Sequence, residues 1–452
     1  GSFPNLSVDF EQIFIQDALP NARKTDTLFY SEKVRLSFNP LDIYHGKYHI
    51  KTIEVAPGKL SIRYNEKGQG NYDILKPTPA QSSTDFKLSL KEVSMESLRL
   101  FYQNAVSHQA FQAKINRSSI SGDFSSEKYL ASAIGRLKLI ALKSGEITLL
   151  KNKKLDFDLA IDVNQKSGLF RVKRAALQIE HLPFLLTGKV GQDSLKFDLQ
   201  SKDLQLVQLV NELSLDAAKD VKSFQGKGMV NVHLAVSGGM AANDPLAVKC
   251  DFGIENGGLT EPYHGLKIQD IQLVGTYENT EENGEFLSLK NVHCRTAGGP
   301  FSGDFLLSEF EHPKVEGEAE GTMNLSIVHA IFKLPSVETI QGNVGIQTKF
   351  GLLTNAETGS LDVDHCNGTL QLKNIFLKLK KDKRTFSQVN GQLFLRGNEA
   401  GIENTSLKLG SSDVKLNGIF DNIFPYINGK GDLKTSVLVE SKHLNVEDLG
   451  ST

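Results

Sequence analysis

Two dipeptides, His293-Cys294 and His365-Cys366, carry the residue types best suited to hold a soft metal ion. On an extended chain, however, adjacent side chains point to opposite faces, so neither pair can close on one ion. Both are expected to be ordinary strand residues. Asp362-x-Asp364-x-x-Asn367-Gly368 faintly resembles a calcium loop. Its acidic and glycine positions are out of register and no glutamate closes it, which leaves a solvated turn as the expectation. Asp156, Asp158 and Asp162 put three carboxylates on one side of a strand without marking any two as a general acid and base. Gly-x-Ser-x-Gly, His-Glu-x-x-His and Walker-type patterns do not occur. The residues therefore point to a protein that is not an enzyme and that needs no metal or cofactor. The sequons Asn116-Arg-Ser118 and Asn367-Gly-Thr369 would matter only in a eukaryotic secretory setting. One charged cluster stands out: Lys378, Lys380, Lys381, Lys383 and Arg384 gather at an expected hairpin tip, where they could meet anionic headgroups or an acidic partner.

The elements that would position these residues are strands. In Leu155-Asp-Phe-Asp-Leu-Ala-Ile-Asp-Val163 every second residue is apolar, as a strand with one dry face requires. Leu195, Phe197 and Leu199 repeat the pattern, and so do Val230, Val232, Leu234 and Val236. Asn256-Gly257-Gly258, Asn283-Gly284, Asn390-Gly391 and Asn428-Gly429 can supply positive φ and are expected to be turns.

Composition sets the outer limits. The 452 residues are 39% hydrophobic, and 51 basic residues face 53 acidic ones. So even a balance lacks the clustered positive field that nucleic acid requires. No run approaches the roughly 18 consecutive apolar residues of a membrane-spanning helix. Gly1-Ser2 has the character of a cloning scar, which leaves room for an upstream membrane anchor. Cys250, Cys294 and Cys366 are odd in number and widely spaced, so they form neither a complete disulfide framework nor a zinc motif.

An internal repeat organises the strands. Gly188, Gly303 and Gly418 follow Thr, Ser and Asn respectively, precede strand-like pairs, and are spaced 115 residues apart twice over. Ser201-Lys-Asp-Leu-Gln-Leu206 resembles Ser441-Lys-His-Leu-Asn-Val446, with Thr322-Met-Asn-Leu-Ser-Ile327 near the midpoint. Gln225-Gly226 and Gln341-Gly342 add a third marker. Each copy carries a short helix. The first spans Asp203 to Leu213 with Asp203 as its N-cap, the second carries Leu325, Val328, Ile331 and Phe332 before Pro335, and a third starts at Val446. The expected fold is mostly β: elongated, curled antiparallel sheet repeats forming a groove-like or sandwich-like architecture with a few short helices. The expected divisions are a distinct N-terminal β region at 1–76, a proline-bearing linker at 77–84, repeats at 85–200, 201–320 and 321–440, and the start of another at 441–452.

The N-terminal region also carries a resemblance. Phe3-Pro-Asn-Leu-Ser-Val-Asp-Phe10, Glu32-Lys-Val-Arg-Leu-Ser-Phe38, Leu41-Asp-Ile-Tyr-His-Gly-Lys-Tyr-His-Ile50, Lys51-Thr-Ile-Glu-Val-Ala-Pro57 and Gly70-Asn-Tyr-Asp73 follow one another in order. Together they resemble the N-terminal segment of AsmA-like proteins, relatives of the TamB-type envelope proteins. Tyr72 stands where tryptophan is more frequent in that segment. The resemblance implies an inner-membrane-anchored periplasmic protein of a Gram-negative bacterium, with a curled β-sheet whose apolar face forms a hydrophobic groove. It also implies phospholipid or another acyl lipid as ligand, a part in lipid transport and outer-membrane biogenesis, and outer-membrane assembly proteins as partners.

Candidate groove contacts are Leu155, Phe157, Leu159 and Ile161, then Val230, Val232 and Leu234, and Val344 and Ile346. Two other readings compete. A structural scaffold for outer-membrane protein assembly would bury the same alternation in a dry core. A carbohydrate-binding solenoid would need rows of exposed aromatics, but tryptophan is absent and the 10 tyrosines are scattered.

Overall fold

The computed structural model describes residues 6–449 apart from 21, 24, 46–49, 73–89, 145–146, 214–224, 240–243, 245, 261–264, 311, 333–336, 355–360, 381–383 and 428–430. The described residues hold 22 strands and five short helices. In chain order the first are β1 (Leu6–Gln16), β2 (Thr27–Phe38), α1 (Pro40–Tyr44), β3 (Ile50–Tyr64), β4 (Glu92–Asn104), β5 (Gln109–Ser121) and β6 (Lys128–Ser144). Then come β7 (Ile147–Asn164), β8 (Leu169–Ile179), β9 (Leu182–Val190), β10 (Ser194–Gln205), α2 (Leu206–Leu213), β11 (Gln225–Gly239) and β12 (Leu246–Thr260). They are followed by β13 (Lys267–Thr280), β14 (Gly284–Thr296), β15 (Gly299–Ser308), β16 (Lys314–Asn324), α3 (Leu325–Phe332), β17 (Val337–Thr354) and β18 (Leu361–Leu379). The last are β19 (Thr385–Arg396), β20 (Glu399–Leu409), β21 (Ser412–Asp421), α4 (Ile423–Ile427), β22 (Lys434–Glu440) and α5 (Val446–Leu449). The fold is mostly β, as the alternation requires.

The chain divides into two compact units, residues 1–201 with 211–216 and 233–248, and residues 202–210 with 217–232 and 249–452. In the first, β1 to β10 pair in chain order, each with the next. In the second, β13 to β22 do the same. Both ladders are open meanders. Every one of these pairings is antiparallel except β3–β4, which is parallel. A parallel neighbour needs a connection that returns to the starting edge, and residues 65–91 supply its length. The expected linker at 77–84 lies within this connection, outside the described residues.

The repeat is visible in matched positions. Gly188, Gly303 and Gly418 fall on β9, β15 and β21, each opposite a valine or isoleucine of the preceding strand: Val172, Val292 and Ile402. A Cβ at these glycines would come within 2.4–2.6 Å of a carbonyl oxygen on the following strand. The strands β10, β16 and β22 run towards α2, α3 and α5 in turn.

Several local expectations are corrected. Asn256-Gly257-Gly258 and Asn390-Gly391 are inside β12 and β19 rather than at reversals. Asn256 takes φ +52° within its strand, so the positive φ serves a kink in an extended chain. Asn283-Gly284 does reverse the chain, with Gly284 at φ +69°, and Asn428-Gly429 lies outside the described residues. Asp362 to Gly368 is neither a calcium loop nor a turn, because the whole stretch runs inside β18. Asp203 is not an N-cap either. It sits in β10 at φ +57°, its N–H donating to Asn231 Oδ1 at 3.1 Å, and the helix starts three residues later. The helices that do have side-chain caps use asparagine. Asn324 Oδ1 accepts from the N–H groups of Ser326 and Ile327 in α3, and Asn445 Oδ1 from that of Glu447 in α5.

Candidate functional site

Register assembles the apolar alternation into one face in each unit. In the first, Leu155, Phe157, Leu159 and Ile161 of β7 stand opposite Leu137, Gly135, Ala133 and Ala131 of β6. On the other side the same four meet Ile179, Leu177, Ala175 and Val172 of β8. The face runs on through Leu186 and Phe184 of β9 to Leu199 of β10. In the other direction it crosses Ile115 of β5, Leu98 of β4, Leu60 of β3 and Phe29 of β2 to Ile15 of β1. One apolar stripe therefore crosses all ten strands.

Large side chains on this stripe are unevenly covered: Leu98, Ile115, Ile179 and Phe184 are buried, and those of β7 are not. Leu155, Phe157, Leu159 and Ile161 are all half-buried, while Ala113, Ala131, Ala133 and Ala175 beside them are buried. Small residues on the floor let neighbouring rings lie flat. A Cβ at Gly135 would meet the Phe157 ring at 2.6 Å, and one at Gly188 the Phe197 ring at 2.4 Å. At β1 the face ends in exposed Leu6, Val8 and Phe10.

The second unit repeats the arrangement. Val344 of β17 lies between Met323 of β16 and Leu372 of β18, and Ile346 between Gly321 and Leu370. Cys294 and Cys366 share this face, opposite Phe301 and Phe350, with unpaired thiols. Burial pushes both thiols up from the usual range, which disfavours the thiolate. Val230, Val232 and Leu234 alternate along β11, with Val230 buried and the other two half-buried. Val230 and Val232 belong to the second unit and Leu234 to the first.

Among the described residues, concavities lie on the opposite, polar side. One of about 690 Å³ is lined by Asp304, Glu318, Glu320 and Lys349 among others. Three of its charged groups are already engaged: Lys349 pairs with Glu318 at 2.7 Å, and Asp304 accepts from the Asn291 N–H at 2.7 Å. We therefore place the candidate site on the apolar faces, where large side chains lack cover, and not in this polar hollow. The expected basic tip is only partly described. Lys378 pairs with Glu338 at 2.7 Å and Arg384 stacks 5.9 Å from the Phe386 ring centroid. Lys380 follows the end of β18, and Lys381 and Lys383 lie outside the described residues. His293 and Cys294 point to opposite faces of β14, as do His365 and Cys366 of β18. Among the described residues no three His, Cys, Asp or Glu side chains gather as a metal site.

A polar cluster that sequence reasoning missed secures the N-terminal strands. Asn71 donates to Asp17 Oδ2 at 2.9 Å and to the Ser61 carbonyl at 2.8 Å, and its own oxygen accepts from the Arg63 N–H. Arg63 Nε donates to Asp17 at 3.0 Å. Burial works against ionisation of Asp17, but hydrogen bonds from Asn71, the Leu19 N–H and Arg63 outweigh it and hold the carboxyl below its ordinary range. Its only signal in the sequence was Asn71 within the Gly70-Asn-Tyr-Asp73 motif. Comparison of the whole chain with protein-family models, with characterised proteins and with solved structures gives no match.

Proposed function

We propose that this chain is an AsmA-like envelope protein that holds phospholipid acyl chains along its apolar sheet faces. On this reading it works in the periplasm from an inner-membrane anchor and supports lipid transport and outer-membrane biogenesis. The observation that carries the proposal is the apolar stripe across all ten strands of the first unit, on which Leu155, Phe157, Leu159 and Ile161 stay half-exposed. Apolar area left in water costs roughly 25 cal/mol per Å², so such a stripe favours an apolar occupant. An acyl chain suits it because the stripe offers alkyl and phenyl surface, and a hydrocarbon has no polar group to satisfy. Half-exposed Leu155, Phe157, Leu159 and Ile161 also fit an occupied trough better than the filled core of a scaffold. Lipid would slide along the stripe, so no one residue is essential for contact.

The test is native mass spectrometry, with organic extraction, of protein purified from a bacterial host without detergent. Co-purifying phospholipid is expected, and Phe157→Asp and Val232→Asp should remove most of it while circular dichroism stays unchanged. A folded protein that retains its lipid in both variants, or that refuses added phospholipid, defeats the proposal and favours a scaffold with a dry core.

A further inference from the structure

The polar side of the first unit carries a feature that folding does not require. Lys59 of β3 stands directly opposite Arg99 of β4, Arg99 opposite Lys114 of β5, Lys114 opposite Lys138 of β6, and Lys138 opposite Lys154 of β7. Five cations thus form an unbroken row across five neighbouring strands, at roughly 4.8 Å per strand and about 19 Å end to end. Like charges directly opposite one another destabilise a sheet. Some cations elsewhere are paired, Arg35 with Asp9 at 2.8 Å, Lys173 with Asp162 at 2.9 Å and Lys314 with Glu316 at 2.9 Å, while Arg171, Lys189 and Lys196 form a second, shorter row across β8, β9 and β10. The adjacent row is compensated as well, running Glu96, Arg117, Arg136, Asp156, with Arg136 and Asp156 3.4 Å apart. Among the described residues none of the five ladder cations has an ion-pair partner. Lys59 instead lies 5.0 Å from the Phe101 ring centroid, and the side chains of Arg99, Lys114, Lys138 and Lys154 are exposed.

We infer that this cationic ladder is a docking surface for a bilayer rich in anionic phospholipid. Charge complementarity sets the sign of the partner, and residue type sets its kind. Four of the five cations are lysines, flexible point charges without the planar fork that arginine offers to one carboxylate. Such a row suits a diffuse field of headgroups better than the fixed acids of a protein groove. Exposed Leu130 and Ile134 lie further along β6 on the same side but stand opposite Asp162 and Asp158 of β7, so the docking surface is confined to the cation row. The inference does not rest on the lipid-groove reading, since ladder and apolar stripe lie on opposite sides of the same strands.

The experiment is flotation of the full 452-residue chain with vesicles of phosphatidylcholine alone or with about one-third phosphatidylglycerol, near 0.1 M salt where surface charges still act over about 10 Å. Binding is expected only with the anionic vesicles. The double variant Lys114→Glu/Lys138→Glu should weaken it at least about thirty-fold, from the contribution of two cations near a charged surface. Because the substitution relieves like-charge repulsion, its urea midpoint should match or exceed that of the wild type, which excludes misfolding as the cause. Phe157→Asp should still float, so failure of the groove and failure of the ladder can be told apart. Equal binding to neutral vesicles, or no effect of the double variant, overturns the inference. Ladder-dependent binding of poly-glutamate without vesicle binding also overturns it and assigns the row to an acidic protein.

Discussion

Glycine identity matters here through what stands above each missing side chain. At Gly303 a Cβ would lie 2.6 Å from the Glu318 carbonyl oxygen, which is held by the strand ladder. At Gly275 the three nearest atoms all belong to the Phe252 ring, which can turn aside. Gly303→Ala should therefore cost about 2–3 kcal/mol and Gly275→Ala about 1 kcal/mol or less, the difference between moving backbone and moving a side chain. Urea unfolding of the two variants checks the order, and equal costs would contradict it. Asp17 gives a pH dependence. Its folded pKa is depressed, so its contribution is fully present above the ordinary carboxylate range and is lost as pH falls through the folded value. Between pH 5 and pH 2 the wild type should lose stability more steeply than Asp17→Asn, which at pH 7 should be about 1–2 kcal/mol less stable. Parallel pH profiles for the two proteins would show that Asp17 is not the group responsible.

At the scale of elements, the device repeated through the ladders is a β-bulge whose N–H is taken up by an asparagine or aspartate on the next strand. Asn291 donates to Asp304 at 2.7 Å, Asn374 to Asn390 at 2.8 Å and Asn404 to Asn417 at 2.7 Å. All three bulge residues have positive φ, between 47° and 52°. The register slips at each, between Leu289 and Val292, Leu372 and Ile375, and Ile402 and Thr405. A bulge bends its strand and increases twist, so bulges recurring from strand to strand are a source of curl in a sheet. Asn417→Ala leaves the Asn404 N–H to water and should cost about 0.5–1.5 kcal/mol. Hydrogen exchange at Asn404 should rise in that variant while exchange at β13 stays unchanged, and a uniform rise would mean that the cap has no local role. These bulges explain why Asn390-Gly391 reads as a turn in the sequence. The side chain of Asn390 is used across the strands, and no reversal occurs there.

At the scale of the whole molecule, each unit is an open ladder with two different sides. In the first unit, one side is an apolar stripe that stays half-exposed along β7, and the other carries a row of cations without an ion-pair partner among the described residues. Substituents on a strand alternate, so Phe157 and Lys154 act on opposite sides of β7 although only two residues separate them. Effects of Phe157→Asp on lipid content and of the ladder variant on vesicle binding should therefore combine without coupling. A double variant that loses more than the two single changes together would link headgroup docking to acyl-chain uptake. The second unit has the same kind of apolar face around Val344 and Ile346, but its polar side around Glu318 and Lys349 is internally paired. The two units share a fold without sharing that surface.

Local chemistry made much of this fold legible. Alternation is a property of neighbouring residues, so strands such as β7 could be read directly. The repeat was visible because Gly188, Gly303 and Gly418 each meet the same backbone crowding, which only glycine tolerates. The helices at 325–332 and 446–449 followed from apolar spacing and the repeat. Register is different, because it is decided by pairing between distant segments and by bulges that each shift it by a residue. Sequence therefore showed that Leu155, Phe157, Leu159 and Ile161 share a side, but not whether a second layer would cover them. Nor did it align Lys59, Arg99, Lys114, Lys138 and Lys154, which stand far apart along the chain. Only the pairing of five strands brings those charges into one row, since strand-to-strand distance, not sequence distance, sets the spacing that a partner would meet.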